Sequence, residues 1–156
     1  MIDAAALLER FRRAGLRIVT AESCTGGMVA AQLTDIAGAS DVVERGFVTY
    51  SNEAKAEMLG VPAALLAQYG AVSVQVARAM AEGALTHARA DVAIAITGIA
   101  GPGGETPGKP VGLVYLAIAR RGRDSRMERQ HFSGDRQAVR QAATERALEL
   151  LNAAVE

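Results

Sequence analysis

Three short stretches carry residues able to do chemistry, and the first is TAESCTGG at positions 20–27. It sets Ser23, Cys24 and Thr25 directly before the pair Gly26–Gly27. A strand reads into this stretch and a helix reads out of it, so the three side chains fall on a strand-to-helix turn. The first N–H groups of a helix have no internal partner, and glycines let a ligand approach that backbone closely. Such a turn suits a phosphate, or the oxyanion formed when a nucleophile attacks a carbonyl. Position alone favours the plainer role of a helix cap for Ser23 or Thr25, and the glycine pair moves the balance toward chemistry. Cys24 is the stronger intrinsic nucleophile, and a helix N-terminus lowers a thiol pKa. A lone Cys beside a buried strand more often packs as a small hydrophobe. Neighbours in extended chain face opposite ways, so one of Ser23 and Cys24 faces a site and the other the core.

The second stretch is TYSNEAK, 49–55. Ser51 or Asn52 reads as a cap, which puts Lys55 in the first turn of the following helix. A cation there sits at the positive end of the helix dipole and holds its proton less firmly. With burial, this makes a lysine a general base. Of the 17 basic residues 15 are Arg, and only Lys55 and Lys109 are Lys. Arg keeps its proton near neutrality, so a neutral amine can come only from those two. Tyr50 and Lys55 stand five apart and miss the spacing that places both on one helix face.

The third stretch is ITGIAGPGGETPGKPVG, 96–112. Gly103 to Lys109 fits G-x-x-x-x-G-K, but Pro110 stands where a magnesium-binding Ser or Thr is needed, and a strand follows instead of a helix. A nucleoside triphosphatase is excluded. The loop still leaves the end of a central strand, where open α/β sheets bind ligands. Farther on, FSGDRQAVR (132–140) offers Asp135 as an N-cap and Arg136 in the first turn. Arg45 and Arg136 are the candidate phosphate contacts. Glu22, beside Ser23, is a candidate supporting group. His87, His131 and the acidic residues show no metal-ligand spacing, so no metal is expected.

These stretches hang on a regular alternation of elements. Helices are predicted at 3–14, 26–38, 52–60, 61–70, 72–90 and 135–155. Strands are predicted at 16–22, 41–51 and 91–98, with a hairpin over 111–121 and 124–134. DVAIAITG (91–98) is almost wholly apolar, the mark of a strand covered on both faces. The expectation is one α/β domain over 1–156: a three-layer α/β/α sandwich with a mixed, mostly parallel sheet of about five strands.

Composition narrows the function classes. No apolar run reaches the roughly 18–20 residues that span a bilayer, and the N-terminus lacks the layout of a secretory signal. One cysteine cannot form an internal disulfide, which fits a cytoplasmic protein. Seventeen basic and 17 acidic side chains cancel, so no global field draws nucleic acid. Three Tyr and three Phe are too few for a base-stacking platform. Neither nucleic acid nor membrane is expected as a partner.

TAESCTGG, GFVTYSNEAK, ITGIAGPGG…KPVG and FSGDR, in this order, resemble the CinA C-terminal domain family, and most closely its stand-alone nicotinamide-nucleotide amidases. The similarity runs from about residue 5 to about residue 150. It implies hydrolysis of the carboxamide of nicotinamide mononucleotide to nicotinic acid mononucleotide and ammonia, without cofactor or metal, by a self-associating protein. It implies a serine nucleophile with a lysine base, roles that fall on Ser23 and Lys55. Tyr50, Thr97, Gly98 and Gly101 are expected near the substrate, and backbone N–H groups around Thr25, Gly26 and Gly27 at the oxyanion. A module that binds pyridine nucleotides without turnover is the alternative. A DNA-uptake or repair partner is a weaker one, against which the balanced charge argues.

Overall fold

The computed structural model describes residues 1–156. A five-stranded sheet forms its middle layer: β1 (Ile18–Glu22), β2 (Val43–Val48), β3 (Val92–Gly98), β4 (Leu113–Arg120) and β5 (Arg126–His131), in the spatial order β2-β1-β3-β4-β5. β1 pairs in parallel with β2 and β3, while the β3–β4 and β4–β5 pairs are antiparallel. The sheet is therefore mixed, with β4 alone running against the other four strands. Six α-helices cover it: α1 (Ala4–Ala14), α2 (Met28–Thr34), α3 (Asn52–Leu59), α4 (Ala63–Tyr69), α5 (Val74–Thr86) and α6 (Arg136–Ala153).

The side-chain period of two decides what each face of the sheet meets. Ile18, Val92, Ile94, Ile96, Leu116 and Ile118 pack under α1, α2 and α6 with Phe11, Leu33 and Leu148. The intervening residues are mostly small, Ala21, Ala93, Ala95, Ala117 and Ala119, and they meet α5 through Val76, Ala77, Met80 and Ala84. Burying a Leu or Ile contributes roughly 1.5–3 kcal/mol, so the first face carries more of the stability. The alanine face instead lets α5 lie close. Gly83 of α5 extends that closeness to α3, because a Cβ there would stand 2.0 Å from the Leu59 carbonyl oxygen. α3, the helix of Lys55, is thus pressed against α5.

Local caps set the helix starts. Ser51 accepts from the Ala54 N–H at 3.0 Å, Ser73 from Val76 at 3.2 Å and Asp135 from Ala138 at 2.9 Å. One predicted helix is much shorter than its sequence reading. Gly26 and Gly27 take left-handed φ of 56° and 105°, which no helix interior accepts, so α2 begins only at Met28. It closes at Thr34, and a 3₁₀ turn at Ala39–Asp41 leads into β2. The predicted second strand likewise loses both ends, and residues 49–51 leave the sheet.

Topology now fixes where a site can form. From β1 the chain crosses one face through α2 to β2, then returns over the other face through α3, α4 and α5 to β3. The two connections leave the carboxyl ends of the neighbouring strands β1 and β2 toward opposite faces, which is where ligands enter sheets of this kind. Ser23 follows β1 there, Thr49 follows β2, and Thr97–Gly98 end β3.

Candidate active site

Ser23 and Lys55 lie 32 positions apart in sequence, and Lys55 Nζ stands 3.0 Å from Ser23 Oγ. Parallel pairing of β1 with β2 brings their two following turns side by side. Because the chain leaves β2 after Val48, the carbonyls of Thr49 and Tyr50 are released from the ladder. Both accept from Lys55 Nζ, at 2.8 and 3.3 Å. Lys55 is 1% exposed. Burial pulls its amine below the usual 10.5, with the neighbouring Cys24 opposing weakly. A neutral amine in this setting gives its two N–H bonds to the two carbonyls and turns its lone pair toward the Ser23 hydroxyl.

Cys24 takes the opposite environment. It is 6% exposed, packs in the core cluster under α1, α2 and α6, and burial pushes its thiol up to about 12. A thiol so poorly ionised is a weak nucleophile. Of the two neighbours, Ser23 carries the polar contact and Cys24 the packing.

The turn itself is held from two sides. Glu22, fully buried, accepts from Thr25 Oγ1 at 2.6 Å, from the Val29 N–H at 3.0 Å and from the Ala30 N–H at 3.1 Å. Its carboxylate thereby fills the positive end of α2. From α6, Arg140 donates its Nε to the Cys24 carbonyl at 3.0 Å and an Nη to the Thr25 carbonyl at 3.3 Å. The sequence offered Glu22 as a supporting group on adjacency alone, and it gave no hint of Arg140. An acidic residue closing an otherwise apolar strand was the available sign for the first; nothing local marks the second.

A cavity of about 290 Å³ opens over Ser23 and Lys55. Tyr50 and Asn52 form one side, Ala71, Val72 and Thr97 another, and the loop from Gly98 to Gly104 a third, with Arg136 at the mouth. Thr97 donates its hydroxyl to the Ala71 carbonyl at 2.8 Å, fixing the α4–α5 connection against β3. Arg136 bridges the opening, donating to the Gly101 carbonyl at 2.9 Å and to the Tyr50 hydroxyl at 3.0 Å. Ala100, Gly101 and Arg136 also border a second groove of about 820 Å³, which reaches Met28 and Arg140.

Ser23, Lys55, Tyr50, Thr97, Gly98, Gly101 and Arg136 therefore share one cavity. Thr25, Gly26 and Gly27 do not border it. The Thr25 hydroxyl is turned to Glu22, and the Gly26 N–H is spent on the Ser23 carbonyl at 3.0 Å. Of the three N–H groups expected at an oxyanion, that of Gly26 is thus taken within the turn, while Glu22 takes those of Val29 and Ala30 farther into α2. Arg45 is also displaced from its expected role: it pairs with Glu44 at 2.7 Å and donates to the His87 carbonyl at 3.1 Å, outside the cavity. Asn52 was missed, masked by its equal fitness as a cap. No carboxylate lines the cavity, and no group of three or more His, Cys, Asp or Glu converges to hold a metal ion anywhere in the chain.

A three-layer α/β/α sheet with a polar cavity at the diverging carboxyl ends of its parallel strands defines the class. Residues 3–155 match the model of the CinA C-terminal domain, and the chain belongs to that family. It is 56% identical over 133 residues to a CinA-like protein of Akkermansia muciniphila, covering 85% of this chain and 32% of that one. The chain thus spans about a third of the length of that relative. It is 58% identical over 137 residues to the nicotinamide-nucleotide amidohydrolase PncC of Escherichia coli K12, covering 88% of this chain and 83% of that one. Among solved structures it resembles the competence/damage inducible protein CihA of Agrobacterium tumefaciens, with a TM-score of 0.95, 49% identity, and coverage of 98% and 93%. No helix is long and apolar enough to cross a membrane.

Proposed function

We propose that the chain hydrolyses the carboxamide of nicotinamide mononucleotide, giving nicotinic acid mononucleotide and ammonia, in the cytoplasm. The observation that carries this is the 3.0 Å approach of a buried amine to the Ser23 hydroxyl inside a cavity. The named activity of the E. coli relative supplies the substrate.

Neutral Lys55 takes the proton of Ser23 as Oγ attacks the carboxamide carbon. The resulting ammonium gives a proton to the departing nitrogen, which leaves as ammonia, and the acyl group stays on Ser23. A water molecule then attacks the ester, with Lys55 as base, and Ser23 regains its proton as the acid departs. No carboxylate lines the cavity, so nothing there neutralises the substrate's pyridinium charge, and that charge adds to burial in keeping Lys55 unprotonated. With the ring beside Ser23, the ribose phosphate points to the mouth, where Arg136 offers a guanidinium between the two openings. Free backbone N–H groups of Cys24 and of the 100–104 loop, rather than Thr25–Gly27, take the oxyanion.

Ammonia release from the mononucleotide by the wild type, Ser23→Ala and Lys55→Ala, with chelator present, tests the assignment. Activity is expected in the wild type alone. Wild-type turnover in Ser23→Ala with loss in Cys24→Ala refutes the nucleophile. Calorimetric binding of the mononucleotide without ammonia over hours instead favours a binding module.

A further inference from the structure

Nicotinamide mononucleotide and its acid share a pyridinium ring, a ribose and a phosphate, so a pocket tells them apart only at the carboxamide or carboxylate. That group meets Ser23 and Lys55. The carboxyl carbon is bonded to Ser23 Oγ in the acyl stage, and Lys55 Nζ lies 3.0 Å from that oxygen. The carboxylate therefore forms within reach of a side chain that is 1% exposed. Three oxygens surround Nζ: the Thr49 and Tyr50 carbonyls at 2.8 and 3.3 Å, and Ser23 Oγ. An ammonium has three N–H bonds and no acceptor, so this set fits the charged form as well as the neutral one. Only the Ser23 hydrogen turns, from the amine lone pair toward the ligand.

No other charge on the cavity wall answers a carboxylate at that depth. Cys24, Tyr50 and Arg136 are the remaining ionisable side chains there. Burial pushes the Cys24 thiol up to about 12, and Arg136 is engaged at the mouth by the Gly101 carbonyl and the Tyr50 hydroxyl. Behind the wall, Glu22 of β1 is turned into α2, and on β2 Glu44 pairs with Arg45 at 2.7 Å. On α3 Glu53 and Glu57 are exposed, and on α5 Arg78 pairs with Glu82 at 3.1 Å. The substrate brings a fixed positive ring charge, which keeps the amine neutral. The product adds a negative charge nearer to Nζ than the ring nitrogen: at about 3 Å against about 6 Å, its Coulomb interaction is roughly twofold larger. The same cavity thus favours opposite protonation states of Lys55 before and after the reaction.

On the amidase reaction proposed above rests a second role for its base. We propose that Lys55 becomes, as an ammonium, the receptor for the pyridine carboxylate that the reaction produces, so that product leaves as Lys55 gives up that proton. Water adds its oxygen to the acyl carbon, the bond from that carbon to Ser23 Oγ breaks, and Ser23 regains its hydrogen. The carboxylic acid then passes its proton to the Lys55 amine. The transfer is downhill because a carboxyl group titrates near about 4, far below an amine that faces an anion. Product affinity is then highest where the free protein already holds Lys55 protonated. It falls as pH rises from that value toward the higher one in the complex.

Calorimetric titration of the wild type with nicotinic acid mononucleotide tests this, in buffers of different ionisation enthalpy. The range runs to about pH 9 from about pH 7, above the phosphate ionisation near about 6. About one proton is expected to be taken up per product bound, with affinity falling by up to about tenfold per pH unit. Nicotinamide mononucleotide, titrated into Ser23→Ala so that it is not turned over, takes up none, and its affinity does not fall with pH. Lys55→Met binds the acid more weakly and without proton uptake. Lys55→Arg, permanently charged, binds it without proton uptake and with a flat pH profile. Uptake in folded Lys55→Met equal to that of the wild type overturns the proposal, as does wild-type binding with neither uptake nor pH dependence. No binding of the acid to the wild type overturns it too, while ammonia release by the same protein keeps the amidase reading. Proton uptake in a wild type that releases no ammonia sinks the amidase assignment and leaves the carboxylate receptor standing.

Discussion

The surroundings of the only two lysines differ in almost every respect. Lys55 sits on α3, 1% exposed, with Ser23 Oγ and two backbone carbonyls around its Nζ. Lys109 sits in the loop before β4, half-buried, and donates to the Tyr69 carbonyl beside the cavity wall. Both amines meet carbonyl oxygens, so hydrogen bonding alone does not distinguish them. Burial and the hydroxyl do. Desolvation draws Lys55 below its usual pKa of 10.5, and only Lys55 faces a group whose proton it can take. One side chain is fitted to be a base and the other a tether.

Removing the hydroxyl breaks this contrast most severely. Ser23→Ala is expected to lower kcat by at least about 10⁴-fold, the scale on which nucleophile deletions act, while thermal unfolding shifts little. Lys55→Met follows, with a loss of about 10²- to 10⁴-fold for a missing general base. Lys55→Arg is expected to do no better, since its guanidinium does not release a proton. Ammonia release on purified variants measures all three. Near-wild-type activity in Lys55→Arg would show that charge, not basicity, is what the site requires.

Stability against pH sharpens the same point. The folded state holds Lys55 below its unfolded value of 10.5, so between the two values the unfolded chain binds more protons. Stability then rises with pH over that window, by at most about 1.4 kcal/mol per unit for one group. Below the folded value both states are protonated, above 10.5 neither is, and the contribution is flat on both sides. Urea unfolding of wild type and Lys55→Met at several pH values up to 10.5 reads this as a difference that grows with pH. The acid limb of kcat/KM is expected to fall below 10.5 for the same reason. A stability difference constant across pH would mean that Lys55 is not desolvated.

How far such a site can be read in advance depends on the range of the forces that build it. Caps are local, so Ser51 and Asp135 were legible, and with Ser51 came the placing of Lys55 on its helix. β3 was legible because burial on both faces leaves an unbroken apolar run. The five-strand mixed sheet follows from the order of such segments. The resemblance implied that Ser23 and Lys55 act together, but the β1–β2 pairing that brings them within reach was shown by no spacing. The fate of the turn's N–H groups was hidden for a different reason. Glu22 reaches seven and eight residues forward to Val29 and Ala30, a contact set by the two left-handed glycines and not by helical periodicity. Arg140 approaches from the far end of the chain, where it reads as one more charge on a solvated helix.

A smaller effect is expected at Cys24. Its thiol, pushed up to about 12 by burial, is a packing group in the core under α1, α2 and α6. Cys24→Ala should cost about 1 kcal/mol of stability through the lost sulfur contacts. Activity should stay within about threefold, because the backbone N–H at that position survives. Chemical denaturation and ammonia release together check this. A loss of activity as deep as that of Ser23→Ala would move the reaction from the hydroxyl to the thiol.

The smallest effect belongs to Lys109. It donates to the Tyr69 carbonyl at the end of α4 and so ties the glycine-rich loop to the α4–α5 connection that Thr97 also holds. A partly exposed hydrogen bond of this kind is worth about 0.5–1.5 kcal/mol, and water can replace the lysine at that oxygen. Lys109→Met is therefore expected to keep kcat within about twofold, with no change in the acid limb of the pH profile. Any loss should appear as a modest rise in KM, since a looser loop costs some entropy when it closes on the mononucleotide. Steady-state kinetics across pH separates the two lysines on one axis: deleting Lys55 removes the limb together with the rate, whereas deleting Lys109 leaves both.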